Sequence, residues 1–174
     1  MNIPAILESQ RSFFKTQKTK DVDYRKALLK LLKQEIIARE QDIYDALHQD
    51  FGKSEFEAYM SEFALLLSEI DLVLKHLNSW AKPKRMRSSL LTFPSKDYIY
   101  KEPYGSILII APWNYPYLTA VNTIIPALVA GNTVVLKHSV QTLLCAERFQ
   151  KAFDFAGLPQ GVFQYLHVDH SSAS

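Results

Sequence analysis

From Gly105 onward, short apolar runs alternate with longer amphipathic segments, and this alternation constrains the fold more than any other feature of the chain. Strands are predicted over residues 106–110, 133–137 and 162–166, with helices over about 117–130 and 142–156 between them. Continuous apolar runs are typical of strands buried on both faces, and helical crossovers keep such strands parallel. The sequence therefore predicts an α/β fold with a Rossmann-like βαβαβ parallel sheet.

Helices are predicted before this unit. From about residue 21, where aspartates offer an N-cap, apolar side chains recur at helical spacing until Gly52. Residues 54–57 form a capping-box pattern and begin one long amphipathic helix that ends before Pro83. Its apolar stripe consists of Phe56, Met60, Phe63, Leu67, Ile70, Leu74 and Leu77. Its acidic residues, Glu62 among them, are expected to form a solvated face.

The segment between the helices and the sheet is predicted to be a β-ribbon. Strands over residues 98–100 and 106–110 are expected on either side of a turn at 102–105, which contains Pro103 and Gly105. The basic run at residues 82–87 is interpreted as a solvated connector rather than a phosphate or membrane site. The predicted organisation is thus a helical segment (1–87), a ribbon (97–104) and a βαβαβ unit (105–174).

Composition narrows the class of partner. Lys and Arg number 20 against 18 Asp and Glu, a net charge of +2 that predicts no nucleic-acid footprint. The single cysteine, Cys145, and the absence of a secretory signal pattern favour a reducing, cytoplasmic setting. No apolar run approaches the ~20 residues that span a bilayer. A small molecule is therefore the expected partner.

Two polar residues follow or end predicted strands, where open α/β sheets bind ligands. Asn114 lies between Pro112 and Pro116, and its amide can either stabilise an oxyanion or cap the helix that follows; the residues alone favour neither. Lys137 ends the second strand and could reach a ribose or a phosphate. Spacing alone favours an ordinary solvent-exposed lysine at that position.

Other candidate residues favour structural interpretations. Trp113 could form a wall of a cofactor pocket, but a packed tryptophan is the more common case. Cys145 lies on a predicted helix among apolar neighbours, which favours a buried, unreactive thiol over a nucleophile. The His167–His170 segment resembles half of a metal site, yet without clustered ligands elsewhere a solvated segment is favoured and no metal is expected.

Five motifs of the second half of the chain belong together: Tyr104-Gly105, Ile110–Pro116, Pro126–Leu128, Ala130–Asn132 and Val135–Lys137. Together they resemble the aldehyde dehydrogenase superfamily. Residues 50–57 and 82–85 are similar to the class 3 branch, which acts on aliphatic and aromatic aldehydes. The resemblance covers about residues 21–169 and implies an N-terminal, apparently truncated portion of the NAD(P)-binding domain of a longer homodimeric or homotetrameric enzyme.

The resemblance also implies roles for individual residues. Asn114 is similar to the family's oxyanion-hole asparagine, and Lys137 is similar to the lysine that contacts the adenosine ribose of the cofactor. The residues implied to line the nicotinamide cleft are Ile110, Ala111, Pro112 and Trp113. The implied reaction is attack of a cysteine thiolate on an aldehyde, hydride transfer to NAD⁺ or NADP⁺, and hydrolysis of the thioester.

The chain departs from the family pattern in two respects. Val140 stands where many members carry an acidic residue that favours NAD⁺, and His138 replaces a common proline, so NADP⁺ is expected to be tolerated. The family's nucleophile and general base have no counterpart in these residues, so the chain alone is expected to be inactive and to leave an associating apolar sheet edge. The alternative is a stand-alone nucleotide-binding or interaction module.

Overall fold

The computed structural model describes residues 2–166, which form N-terminal helices followed by a small parallel sheet. The helices and strands, in chain order, are α1 (Ile3–Lys15), α2 (Val22–Ala38), α3 (Glu40–Phe51), α4 (Glu55–Ala58), α5 (Ala64–Trp80), β1 (Lys84–Met86), β2 (Asp97–Ile99), β3 (Ser106–Ile110), α6 (Pro116–Val129), β4 (Thr133–Lys137), α7 (Leu143–Phe155) and β5 (Phe163–Leu166). A π-helical turn, Tyr59–Phe63, joins α4 to α5. The predicted α/β class is confirmed.

The sheet has the order β3-β4-β5, and both of its strand pairs are parallel. Each step along the chain moves one strand in the same direction, so right-handed crossovers place α6 and α7 on the same face. Every residue of the central strand β4 is buried. The predicted burial of all strands on both faces is wrong for β3, where Leu108 and Ile110 are 60% and 64% exposed. Leu108 and Ile110 are two residues apart and point to the same face of the sheet, and β3, an edge strand among the described residues, is largely uncovered on that face.

The predicted ribbon is paired differently from expectation. β2 pairs antiparallel with β1, with Arg85 opposite Tyr98, and not with β3. The basic run at residues 82–87 thus contributes a strand, although β1 is exposed as a solvated connector would be. Apolar side chains on this ribbon and its loop are exposed, including Leu90, Leu91 and Phe93. Which strands pair depends on the path of the loop that connects them. The spacing of apolar residues within each strand does not determine that path.

The helical run predicted up to Gly52 is two helices. Asp21 caps α2 as predicted, accepting from the Asp23 and Tyr24 amides, and Gly52 ends α3 with a φ of 70°. Between them, Arg39 breaks the helix with φ −114° and ψ 22°. Neither glycine nor proline marks this break, and the Arg39 guanidinium lies 3.9 Å from the centre of the Phe155 ring. Tertiary packing therefore contributes to a boundary that spacing did not indicate.

The long helix predicted from residue 54 is nearly continuous, but the π-helical turn divides its apolar stripe. Ser54 accepts from the Glu57 amide, as the capping pattern predicts. Phe63, Ile70 and Leu77 are buried, whereas Phe56 is 76% exposed. A π-helical turn inserts an extra residue, so side chains before it face a different direction from those after it. The same rotation turns Glu62 inward.

Helix α1 was not identified from spacing. It lies against β3 and β4, where the fully buried Gln10 side chain donates to the Val134 carbonyl at 2.6 Å and accepts from the Thr133 hydroxyl. Among residues 2–166, no helix combines the length and apolar character that crossing a bilayer requires.

Replacing Gly161 with alanine is expected to loosen α1. A Cβ at this position would lie 2.4 Å from Phe13 Cβ and 2.8 Å from Phe13 Cγ, far inside van der Waals contact. Overpacking of this kind costs about 1–3 kcal/mol of folding free energy. We expect a lower urea midpoint and faster amide hydrogen exchange throughout residues 3–15.

The matched control is Gly52→Ala, where φ is 70° but no atom lies within 4 Å of the added methyl group. That variant should lose stability through backbone strain while the hydrogen exchange of α1 stays as in the parent chain. Equal protection of α1 in the parent and in Gly161→Ala would contradict the clash.

Candidate functional site

The carboxyl ends of β3 and β4 bring the two predicted polar residues to one edge of the sheet. Ile110 pairs in register with Lys137, and the Ala111 amide donates to the Lys137 carbonyl at 3.0 Å. The loop of residues 111–115, here called the Asn114 loop, leaves the sheet directly after this contact. Because adjacent parallel strands end together, Asn114 and Lys137 lie at the same edge of the sheet although they are far apart in sequence.

Asn114 is exposed, and helix capping does not account for it. The N-cap of α6 is Tyr115, which makes no side-chain cap, and Pro116 is the first helical residue. Within the described part of the chain, the Asn114 side chain has no hydrogen-bonding partner. Of the two interpretations that the sequence left open, the cap is therefore wrong, and the amide is free to bind a ligand.

The amides at the start of α6 are instead bound by Glu62. One carboxylate oxygen accepts from the Tyr117 amide at 2.8 Å and from the Leu118 amide at 3.2 Å, and the other accepts from Lys53 at 2.6 Å. Glu62 is fully buried, so the expected solvated position is wrong. A carboxylate at a helix N-terminus satisfies unpaired amides and interacts favourably with the helix dipole.

Aromatic contacts hold the Asn114 loop from the same side. The Trp113 and Phe51 rings stack with their centres 6.4 Å apart, and the Lys53 ammonium lies 4.4 Å from the centre of the Tyr115 ring. Trp113 is 51% exposed, so it is only half packed, and one part of it faces solvent beside Asn114.

The end of β4 holds the loop from the other side. His138 is buried, and its Nε2 lies 2.9 Å from the Pro116 carbonyl, to which it donates when that nitrogen carries the proton. The Asn114 loop is therefore held at its start by the backbone hydrogen bond from Ala111 to Lys137 and at its end by the His138 and Glu62 side chains, while its asparagine stays uncommitted.

Lys137 is 3% exposed, so the expected solvent-exposed position is wrong. Lys137 is buried because β4 lies between β3 and β5, and the position of a strand within its sheet is not encoded by its own residues. No carboxylate among residues 2–166 forms an ion pair with its ammonium. Buried cations are normally paired, so an anionic or hydroxyl-rich ligand would fit this side chain.

The remaining residues implied for the cofactor lie beside this edge. Ile110 and Trp113 are more than half exposed, Pro112 is exposed, and Ala111 is buried. A cavity of about 430 Å³ lies elsewhere, between the helices and the connector, with Arg25, Trp80 and Tyr100 in its lining. Neither Asn114 nor Lys137 lines that cavity, so the strand-end edge rather than the cavity holds the predicted residues.

Cys145 has the structural character that the sequence favoured. It is fully buried on α7, its amide donates to Asp50 at 2.9 Å, and burial, reinforced by the Asp50 carboxylate, raises the pKa of its thiol well above the ordinary value of about 9. Residues 2–166 contain no cluster of three metal-ligand side chains. The segment His167–His170 lies outside the described residues.

The Cys145 thiol is expected to resist alkylation by iodoacetamide at pH 8, because the thiolate is the reactive form and burial disfavours it. A raised folded-state pKa stabilises the fold below the unfolded value of about 9, and this stabilisation is lost as the pH rises above it. Mass spectrometry of the alkylated chain, native against urea-unfolded, measures the protection. Equal labelling in both states would contradict the burial.

Comparisons with known proteins agree on one family. The family model described as "Aldehyde dehydrogenase family" matches residues 1–174. The 4,4'-diaponeurosporen-aldehyde dehydrogenase of Staphylococcus aureus is 46% identical over 132 residues, which are 76% of this chain and 29% of that protein. Aldehyde dehydrogenase family 3 member B2 of Mus musculus is 43% identical over 135 residues, 78% of this chain and 28% of that protein.

Solved structures show the same fold. The substrate-bound state of Staphylococcus aureus AldH superposes with a TM-score of 0.95 at 37% identity, covering 99% of this chain and 38% of that one. The succinic semialdehyde dehydrogenase of Streptococcus pyogenes, in complex with NADP⁺, superposes with a TM-score of 0.85 at 24% identity, covering 98% of this chain and 37% of that one. The matched segments thus make up less than a third of the length of the two relatives named above.

Proposed function

Because the chain belongs to the aldehyde dehydrogenase family, we propose that it supplies the oxyanion donor and part of the cofactor site of an NAD(P)-dependent enzyme that oxidises an aldehyde to a carboxylic acid. The observation that carries this proposal is the uncommitted Asn114 amide on a loop held at its start by the Ala111–Lys137 backbone hydrogen bond and at its end by Glu62 and His138. A fixed amide donor stabilises the negative charge that a carbonyl oxygen gathers under nucleophilic attack.

The residues beside the same strand ends fit a dinucleotide. Lys137 would donate to ribose hydroxyls, and the half-exposed Trp113 with Ile110, Ala111 and Pro112 would form the wall of the nicotinamide cleft. The cofactor would supply the hydride acceptor. Val140 is 51% exposed near the end of β4 and carries no charge, so nothing at that position repels the 2′-phosphate of NADP⁺.

The nucleophile and the general base lie outside these residues in this proposal. Cys145 is the single cysteine of the chain, and a fully buried thiol with a raised pKa cannot attack a substrate. The 174-residue chain is accordingly inactive alone. The complete enzyme would be a cytoplasmic homodimer or homotetramer that takes a small-molecule aldehyde.

A chimera tests this function. Residues 1–174 are joined, in register, to the part of the Staphylococcus aureus relative that follows its matched region. Formation of NADH or NADPH is then followed by absorbance with short aliphatic and aromatic aldehydes. We expect aldehyde-dependent turnover by the chimera and none by the 174-residue chain. A folded chimera without turnover, or turnover by the short chain, would overturn the proposal.

Lys137→Met in this chimera is expected to raise the cofactor KM about 10–100-fold, the loss expected for a hydrogen bond to a charged donor. Methionine retains most of the length and the apolar stem of the buried lysine, so the strand should stay packed. Lys151→Met, at an exposed position on α7, is the control and should leave the KM unchanged. An unchanged cofactor KM in Lys137→Met would remove Lys137 from the cofactor site.

A further inference from the structure

Three residues from the α3–α5 region contact four residues that flank Asn114. Phe51 contacts Trp113, Lys53 contacts Tyr115, and Glu62 accepts from the amides of both Tyr117 and Leu118. Asn114 lies between these contacts and has no partner of its own among the described residues. Spacing in the sequence indicates none of them, since Glu62 and Tyr117 are 55 residues apart.

The centre of this arrangement is the ion pair between Lys53 and Glu62. The side chains are 8% and 0% exposed, and their charged atoms lie 2.6 Å apart. Each partner also has a second contact: the carboxylate binds two amides of α6, and the ammonium lies over the Tyr115 ring and 5.4 Å from the centre of the Phe51 ring. The pair therefore links the end of α3 to both sides of Asn114.

Fixing the backbone on both sides of Asn114 restricts where its side-chain amide can point. A donor that stabilises an oxyanion works only when it is already aimed at the developing charge, because reorganising it during the reaction consumes the gain. Misplacement of a catalytic group by about 1 Å can cost about 10²-fold in rate. Small movements of the first turn of α6 would therefore displace the Asn114 amide and lower the rate of the reaction.

We propose that Glu62, held by Lys53, is a positioning residue that fixes the direction of the Asn114 amide. This inference rests on the proposed function, in which Asn114 is the oxyanion donor. Glu62 itself touches no substrate or cofactor atom in this scheme, so its effect is expected on kcat rather than on substrate binding.

The test variant replaces both charges. In the chimera, Lys53→Met with Glu62→Met keeps the two side-chain lengths and leaves no unpaired buried charge, so the fold is expected to persist. The α6 amides then lose their acceptor and the Tyr115 ring loses its cation. We expect kcat to fall about 10–100-fold with the aldehyde KM within about threefold.

A conservative variant separates positioning from general damage. Lys53→Met with Glu62→Gln restores an oxygen that the Tyr117 and Leu118 amides can reach, and it should recover most of the lost kcat. The matched control is Lys33→Met combined with Asp71→Met, because that ion pair joins α2 to α5 and is partly exposed to solvent. Its kcat should stay within about twofold of the parent.

A double-mutant cycle with Asn114→Ala decides the mechanism. If Glu62 acts through Asn114, removing the ion pair in the Asn114→Ala background costs no further kcat. Independent, multiplied losses would overturn the proposal, and so would a Lys53→Met/Glu62→Met chimera with the parent kcat.

A measurement on the 174-residue chain is independent of activity. Nuclear magnetic resonance relaxation should show the Asn114 side-chain amide more mobile in the Lys53→Met/Glu62→Met chain and unchanged in the Lys33→Met/Asp71→Met chain. An unchanged Asn114 amide in both would overturn the positioning role. If the chimera is inactive, the proposed function fails, and the relaxation measurement still shows whether Glu62 positions Asn114.

Discussion

Replacing Asn114 with alanine in the chimera is expected to lower kcat about 10²–10³-fold. This is the loss typical of removing one donor from an oxyanion hole. The side chain is exposed and has no partner among residues 2–166, so its removal breaks no contact of the described fold. The thermal midpoint and the cofactor KM should therefore stay close to those of the parent. Steady-state kinetics with a saturating cofactor measure the effect.

Two further variants sharpen this experiment. Asn114→Asp places a like charge beside the developing oxyanion and should be at least as slow as the alanine variant. Asn122→Ala removes another exposed asparagine, which lies on α6 rather than in the Asn114 loop, and should leave kcat unchanged. If Asn114→Ala turns over at the rate of the parent, Asn114 is not the oxyanion donor.

The alternation of strands and helices in the parallel sheet was predictable because its signals are local. Each strand from β3 to β5 is a short apolar run, and each crossover helix begins and ends within one residue or so of its predicted boundary. Gly131 and Asn132 mark one such boundary, where the Asn132 side chain accepts from the Gly105 amide. Hydrophobic spacing and boundary residues such as glycine act over only a few positions, so they can be recognised in the sequence alone.

Burial of charged side chains was not predictable in the same way. Lys137 looked like an exposed strand end, and Glu62 looked like part of a solvated helix face, yet both are buried. Lys137 is covered because β4 lies between two other strands, and Glu62 is turned inward by the π-helical turn. The burial of Lys137 depends on strands that are distant in sequence. The burial of Glu62 depends on an irregular helical turn that the amino-acid composition of the segment does not indicate.

In the candidate site, too, the residues beside strand ends were predictable, whereas the residues that depend on tertiary contacts were not. Asn114 and Lys137 were identified from their places beside predicted strands. The residues that hold the loop, Phe51, Lys53 and Glu62, were missed, because their contacts appear only when α3 and α6 meet. The one available signal was the resemblance of residues 50–57 to a family motif, which marks the segment without giving its role.

Replacing Lys53 alone with methionine is expected to lower the free energy of unfolding by about 3–5 kcal/mol. Removing one partner of a buried ion pair leaves the other charge without compensation in a poorly solvated site. Here that charge is the Glu62 carboxylate, which is fully buried and retains only the two α6 amides as partners. Urea unfolding of the 174-residue chain, followed by circular dichroism, gives the difference in free energy.

The decisive comparison is with the chain in which Lys53→Met is combined with Glu62→Gln. The second substitution removes the uncompensated charge and keeps an acceptor for the amides, so it should restore most of the lost stability. A second mutation that stabilises a variant damaged by the first is a signature of a desolvated pair, since independent losses would add. Lys33→Met is the control, because the Lys33 and Asp71 side chains are 26% and 59% exposed, and ion pairs open to solvent contribute at most about 1 kcal/mol. If Lys53→Met and Lys33→Met cost the same, the Lys53–Glu62 pair is solvated in solution and cannot hold α6 against the end of α3.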